Sequence, residues 1–338
     1  MHTKYILKNI ILIVTAAVLC LSLCGCSMTS DLSTDANMNF DQYGENYPQI
    51  AEGDNAYYYV NGNDVYVYDE DTGETALFCG DFGSIDYLGY YDGGVYAVSD
   101  NSLCSVSDGV KDKLFAVPEA ESLNNKQYVM HSGYLILCGL SVDSTAEVMT
   151  YSLETGECEI IHELSEADYV KVCPYSDVLY ILSGNSEITE LCGYDLPSGE
   201  TSYLYNSGSC VFTNPFFRTT AEAAYMSEGG AVYVYDVVAC GIYESFDFNS
   251  DGTTAYEIGG ISEYYVFAGY NDGSDYHLYV KDIYGNDKII TDITLSSEVE
   301  AVICGNDSQR VFLMINPQSS NSSVIAVNFL NGDFQTLW

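Results

Sequence analysis

The residues that come nearest to a metal site are three oxygen-bearing side chains at alternate positions, Asp247, Asn249 and Asp251. Followed by Gly252, they match the first half of a calcium-binding loop, in which alternating oxygens converge on one cation. The second half does not match, because the bidentate Glu expected at position 12 is replaced by Ile258. The same residues are typical of an ordinary hairpin turn, which is the interpretation we favour, and calcium is the only cofactor that the sequence suggests.

A rare arginine beside aromatic side chains is the second candidate. Arg218 follows Phe216 and Phe217 in the longest stretch without a strand pattern, residues 206–225. Phe217 and Arg218 could contact an anionic or aromatic ligand at the mouth of a domain. More often, such a loop packs its own aromatic side chains.

Motifs for catalysis are missing from the sequence. It contains neither H-E-x-x-H nor G-x-S-x-G. The many Asp and Glu residues could include the carboxylate pair of a glycosidase. However, the chain has one tryptophan, Trp338, and so lacks the several indole rings on which sugars usually stack. We therefore expect a non-enzymatic binding or scaffold module with a protein or glycan partner in the cell envelope. An envelope glycan hydrolase is the alternative.

A basic start and a short apolar core open the chain. Lys4 and Lys8 precede Ile10–Leu23, a run of fourteen residues that is shorter than the roughly 20 needed to span a bilayer as a helix. The length suits a signal peptide over residues 1–25.

The end of that core, Leu23-Cys24-Gly25-Cys26, resembles the lipobox of bacterial lipoproteins. The resemblance implies cleavage between Gly25 and Cys26 and a diacylglycerol on the Cys26 sulfur, which places the protein on the extracytoplasmic face of the cell membrane. Two acyl chains hold a protein on a membrane stably, whereas one does so marginally. An uncleaved signal anchor is the alternative.

The strongly acidic charge of the chain excludes nucleic acid as a partner. The chain has 49 Asp and Glu against 10 Lys and Arg. Since the signal segment contains two of those lysines and no acid, the mature chain has a net charge of −41. Such a chain repels nucleic acid. Residues 26–46 are polar and predict a flexible tether.

Nine cysteines follow the lipobox, and none forms a C-x-x-C pair. Because nine is odd, at least one thiol stays unpaired. Most lie in apolar runs, where Cys behaves as a small buried hydrophobic residue.

A glycine turn recurs along the rest of the chain. It stands at Gly73, Gly109, Gly156, Gly199, Gly252, Gly285 and Gly332. Apolar runs flank each turn, and further runs precede it, which gives about four strands per repeat. The pattern predicts an all-β fold, a seven-bladed β-propeller over residues 47–338. Six or eight blades, or a β-sandwich, are the alternatives. Ring closure could use Met38–Tyr43 as an added strand, or packing of the last blade on the first.

Two of these turns share the pattern Tyr-Asp-x-x-Thr/Ser-Gly-Glu, at Tyr68–Glu74 and Tyr194–Glu200. The pattern resembles uncharacterised propeller lipoproteins of Gram-positive bacteria, whose domains are related to low-density-lipoprotein-receptor-type and translocation-type propeller repeats. This resemblance implies a tethered propeller and implies no activity.

Overall fold

The described part of the chain is almost entirely β-strand. In the computed structural model it comprises residues 50–107, 109–213, 215–219, 224–228, 230–236, 240–250, 256–261, 265–271, 275–282, 292–295, 301–306, 310–315 and 323–337. A short 3-10 helix spans Pro118–Ser122, and no helix within these residues is long and apolar enough to cross a bilayer. The predicted signal peptide, Gly25, Cys26 and the tether lie outside them.

The described strands form seven antiparallel sheets, each made of four consecutive strands. Blades 1 to 4 are β1 Ile50–Gly53, β2 Ala56–Asn61, β3 Asp64–Asp69, β4 Glu74–Cys79; β5 Tyr87–Tyr91, β6 Gly94–Ser99, β7 Ser102–Ser107, β8 Val110–Ala116; β9 Leu123–His131, β10 Tyr134–Ser141, β11 Ala146–Ser152, β12 Cys158–Leu164; β13 Tyr169–Tyr175, β14 Val178–Gly184, β15 Thr189–Asp195 and β16 Glu200–Ser207. Blades 5 to 7 are β17 Phe216–Thr219, β18 Ala224–Glu228, β19 Ala231–Asp236, β20 Gly241–Asp247; β21 Glu257–Ile261, β22 Tyr265–Asn271, β23 Tyr276–Asp282, β24 Asp292–Leu295; β25 Ala301–Asn306, β26 Arg310–Ile315, β27 Ser323–Asn328 and β28 Phe334–Thr336.

The sheets are arranged as a ring, with the first strand of each blade innermost. First strands of successive blades lie beside one another, from β1 beside β5 to β21 beside β25. Last strands such as β4, β8 and β16 are mostly exposed. The chain therefore forms a seven-bladed β-propeller, and the predicted fold and blade number are confirmed.

The recurrent glycine turn joins the third and fourth strands of a blade. In the turn after β15, the amide of Gly199 donates to the carbonyl of Asp195, and the Asp195 carboxylate accepts the Ser198 amide at 2.8 Å. Asp69, Thr72 and Gly73 make the same contacts after β3. Both glycines have positive φ, 69° and 71°, a conformation that carries little steric cost for glycine alone. The Asp-x-x-Thr/Ser-Gly pattern is thus a turn signature.

The predicted position of the fifth turn was wrong. Gly252 lies outside the described residues, and in sequence it stands between β20 and β21, which belong to different blades. The hairpin of blade 5 instead joins β19 and β20, with Asp236 paired to Gly241. There Cys240 adopts the left-handed conformation, with φ of 49°, at the position that glycine takes in the other turns.

Each pair of neighbouring blades buries its own apolar core. Seven such clusters exist among the described residues, one for each junction, including that between blades 7 and 1. Side chains alternate along a strand, so one set of residues faces the preceding blade and the other faces the next. Burial of both faces explains why the inner strands read as continuous apolar runs.

The ring closes by packing of blade 7 on blade 1. Tyr57 and Tyr59 of blade 1 share a core with Phe312 and Met314 of blade 7. The Tyr57 and Phe312 rings meet edge to face, with centroids 5.2 Å apart. Both blades have four strands of their own, which supports the packing alternative. The other predicted contributor, Met38–Tyr43, lies outside the described residues.

Candidate functional site

Two of the predicted calcium ligands, Asp247 and Asn249, lie where the chain leaves blade 5. Asp247 ends β20, and its Oδ1 accepts the Asn249 amide N–H at 2.7 Å. The Asn249 side chain accepts the Tyr256 N–H at 2.8 Å and donates to the Tyr256 carbonyl at 3.1 Å. These contacts link the end of blade 5 to the residue that precedes blade 6. Asp251 lies outside the described residues, so calcium binding stays a prediction.

The aromatic-cationic segment is part of a strand. Phe217 and Arg218 belong to β17, the innermost strand of blade 5. Phe217 is 2 % exposed and packs in the core between blades 4 and 5, so it is a core side chain. The prediction of a ligand contact therefore rests on Arg218, which is half-buried and has a buried Nε with no hydrogen-bond partner in the described structure.

Polar side chains join the innermost strands of blades 3, 4 and 5. The Gln127 amide on β9 donates to the Val172 carbonyl on β13 at 3.0 Å and accepts the Val172 N–H at 2.9 Å. One blade further, the Cys173 sulfur accepts the N–H and hydroxyl of Thr219 at 3.3 and 3.2 Å. These buried contacts hold the inner strands in a fixed relative position.

Three cationic residues lie on these same inner strands, in an otherwise acidic chain. They are Lys126 on β9, Lys171 on β13 and Arg218 on β17. Lys126 pairs with Asp86 at 3.8 Å. Lys171 is 8 % exposed, and none of the ion pairs in the described structure includes it. We call Lys171 and Arg218, which lie on neighbouring inner strands, the inner cationic pair. Lys171 shares a face with Cys173, whereas Arg218 alternates with Phe217 and Thr219 and lies on the opposite face of β17.

Lys171 was not among the candidate site residues identified from the sequence. Its strand reads Tyr-Val-Lys-Val-Cys-Pro-Tyr, in which a lysine shares one face with Tyr169 and Cys173. Those two residues pack in the core between blades 4 and 5. A charged residue at a core position of an apolar strand is a usable signal, because lysine is seldom buried without a function or a partner.

Comparison by sequence gives no match, either to a protein-family model or to a curated protein. Comparison by structure gives propellers. A structure from a study of two prolyl endopeptidases matches 90 % of this chain with a TM-score of 0.63 and 10 % identity, and the match covers 51 % of that chain. This chain therefore spans about half the length of that relative.

Two further structures extend the likeness. Puromycin hydrolase has a TM-score of 0.58 and 10 % identity, with 90 % of this chain and 55 % of that chain covered. Sqt1 of Saccharomyces cerevisiae has a TM-score of 0.53 and 11 % identity, with 85 % and 83 % covered. At such low identity the likeness shows the propeller fold and carries no activity to this chain.

Proposed function

We propose that the protein is a membrane-tethered, extracytoplasmic binding module whose ligand carries anionic groups that contact Lys171 and Arg218. The observation that carries the proposal is the Arg218 guanidinium, whose Nε is buried without a hydrogen-bond partner among the described residues. Lys171, on the neighbouring inner strand, is buried and has no ion pair with a described residue.

The energetics favour an anionic ligand. A buried cation costs free energy unless an opposite charge or hydrogen bonds compensate it. A carboxylate or phosphate group would supply both, because guanidinium and ammonium groups donate charge-assisted hydrogen bonds to such oxygens. The net charge of −39 repels anions from most of the chain, so the inner strands of blades 4 and 5 are where one would bind.

Binding can be measured on the detergent-solubilised full chain with triglutamate as the probe, by titration calorimetry. We expect Lys171→Met and Arg218→Met each to weaken binding by about tenfold or more, since a hydrogen bond to a charged group contributes roughly 1.5–3 kcal/mol. Lys113→Met is the matched control, because Lys113 lies on the exposed outer strand β8. Equal affinity in all three variants, or no binding by the unaltered chain, would refute the anionic ligand.

The tether is tested separately. Cys26→Ala removes the predicted acylation site, and we expect a folded propeller that no longer fractionates with membranes. Cys24→Ala is the control and should remain with the membrane. If the Cys26→Ala chain stays in the membrane fraction, an uncleaved signal anchor explains the attachment instead.

A further inference from the structure

A buried cluster of three potential metal ligands lies between blades 3 and 4, away from the inner cationic pair. His162 is on β12, and Glu190 and Cys192 are on β15. One ligand atom from each residue lies within 4.8 Å of the other two, and all three residues are buried. The cluster thus joins the outermost strand of one blade to the third strand of the next.

A β-bulge turns His162 toward blade 4. The register of β11 and β12 shifts between Val148 and Met149, so that Met149 pairs with Ile160 and Val148 with His162. Directly paired residues share a face of a sheet. Val148 belongs to the core between blades 3 and 4, which places His162 on the face that meets blade 4.

Regular alternation supplies the other two ligands. Cys192 packs in the core between blades 3 and 4, and Glu190, two residues earlier on β15, lies on the same face. Two strands from different blades therefore bring nitrogen, oxygen and sulfur ligand atoms within 4.8 Å of one another.

The separation of His162 and Cys192 fits a shared metal. Their Nδ1 and Sγ atoms are 3.7 Å apart. Zinc bonds of about 2.0–2.1 Å to nitrogen and 2.3 Å to sulfur, at a tetrahedral angle, place two such ligand atoms roughly 3.6 Å apart.

Neighbouring polar groups orient both partners. The Nε2 atom of His162 lies 3.0 Å from the Ser183 hydroxyl, a contact that leaves Nδ1 available. Asn206 donates to Glu190 Oε2 at 2.8 Å, which leaves Oε1 available. Metal-binding histidines and carboxylates are held by second hydrogen bonds of this kind.

Without a cation, burial opposes charge on every member of the cluster. His162 and Glu190 are each 7 % exposed, and Cys192 is fully buried. The contact between His162 Nε2 and Glu190 Oε1 is 3.8 Å, longer than a hydrogen bond. The three side chains therefore do little to stabilise one another directly.

We propose that His162, Glu190 and Cys192 bind one Zn²⁺, which clamps blade 3 to blade 4, with a water molecule as the fourth ligand. The mixed nitrogen, oxygen and sulfur set suits Zn²⁺ better than Ca²⁺ or Mg²⁺, which take oxygen ligands. On binding, the S–H bond of Cys192 breaks, the sulfur keeps the electron pair and binds the metal, and the proton goes to solvent.

Cobalt substitution gives a readout that a merely structural cluster would not produce. The full chain, solubilised in detergent and stripped of metal, is titrated with Co²⁺ and its near-ultraviolet thiolate-to-cobalt absorption is recorded. We expect one equivalent of Co²⁺ to give this absorption, and Zn²⁺ to displace it. Absence of the thiolate band at one equivalent would overturn the proposal.

Matched variants identify the site among several thiols. Cys192→Ser should abolish the thiolate band, whereas Cys104→Ser, at a buried position on the third strand of blade 2, should retain it. Glu190→Gln should weaken Zn²⁺ binding by at least about 100-fold, and Ser183→Ala by about 10- to 100-fold, since it removes a second-sphere contact. Circular dichroism verifies that each variant is folded. A full band in folded Cys192→Ser would refute the site.

Discussion

Arg310 of blade 7 donates to Glu70 of blade 1, with Nη1 and Oε1 2.5 Å apart, across the junction that closes the ring. The same guanidinium lies over the Tyr57 ring, 5.0 Å from its centroid. Arg310 thus ties the last blade to the first by a charge pair and by a contact with the aromatic core of that junction.

Replacing Arg310 should weaken this closure measurably. An ion pair at a partly exposed site contributes up to about 1 kcal/mol, and a cation–π contact about 0.5–1 kcal/mol. We therefore expect Arg310→Met to lower the free energy of unfolding by about 1–2 kcal/mol, and Glu70→Gln to lower it by less. Urea unfolding followed by far-ultraviolet circular dichroism measures both.

The Arg310→Met Glu70→Gln double variant provides the control for that closure. If the two residues act through their mutual contact, the double variant loses less free energy than the sum of the single losses. If the loss in the double variant equals the sum of the two single losses, Arg310 and Glu70 do not stabilise the protein through their mutual contact.

Replacing Gly199 should destabilise the protein more than replacing any other residue of its turn. Its φ is 71°, and an added Cβ would meet only the Tyr194 hydroxyl, at 3.4 Å, so the strain of a substitution lies in the backbone. Gly199→Ala should lower the free energy of unfolding by about 1–2 kcal/mol, since a left-handed conformation costs that much for most residues. Gly199→Asn should lower it by less, because Asn tolerates this conformation. If Gly199→Ala and Gly199→Asn lower the stability equally in thermal unfolding, backbone strain is not the cause of the loss.

The repeat was readable from sequence because turn chemistry is local. Asp195, Ser198 and Gly199 make their contacts within five residues, so the motif specifies the turn wherever it occurs. The fifth turn failed for the same reason, since Cys240 takes the position of the glycine. Asp251-Gly252 resembles the motif but stands in sequence between β20 and β21, which belong to different blades.

The candidate sites were less readable because they depend on contacts between blades. Arg218 was found by its rarity, but the burial of Phe217 depends on the neighbouring blade. His162 and Cys192 are far apart in sequence and meet only because a bulge changes the alternation of β12. Nothing in the local sequence marks the bulge residue, Ile161, as unpaired.

Thiol reactivity should follow burial. The eight cysteines whose side chains the structure describes form no disulfide, and of these Cys158 and Cys240 are exposed. Cys104 and Cys192 are buried, so an alkylating reagent reaches those thiols slowly in the folded protein. Alkylation of the folded protein, mapped by mass spectrometry, should modify Cys158 and Cys240 first. Equal modification of Cys104 before unfolding, or masses that show paired cysteines, would contradict this order.

Asn249 should stabilise the connection between blades 5 and 6 whether or not calcium is present. Its amide forms two hydrogen bonds with the Tyr256 backbone, each contributing about 0.5–1.5 kcal/mol. Asn249→Ala should therefore lower the free energy of unfolding by about 1–3 kcal/mol, and its melting temperature should fall equally in calcium and in chelator. Asp251→Asn, which keeps the size of the side chain, is the control for a ligand carboxylate.

Calcium would give a different pattern, because a cation that binds only the folded protein raises its melting temperature with concentration. If the unaltered chain gains stability at millimolar calcium and both variants lose that gain, the Asp247, Asn249 and Asp251 oxygens bind the ion. We expect no such gain, since the Asn249 oxygen already accepts the Tyr256 N–H and a cation would have to displace it.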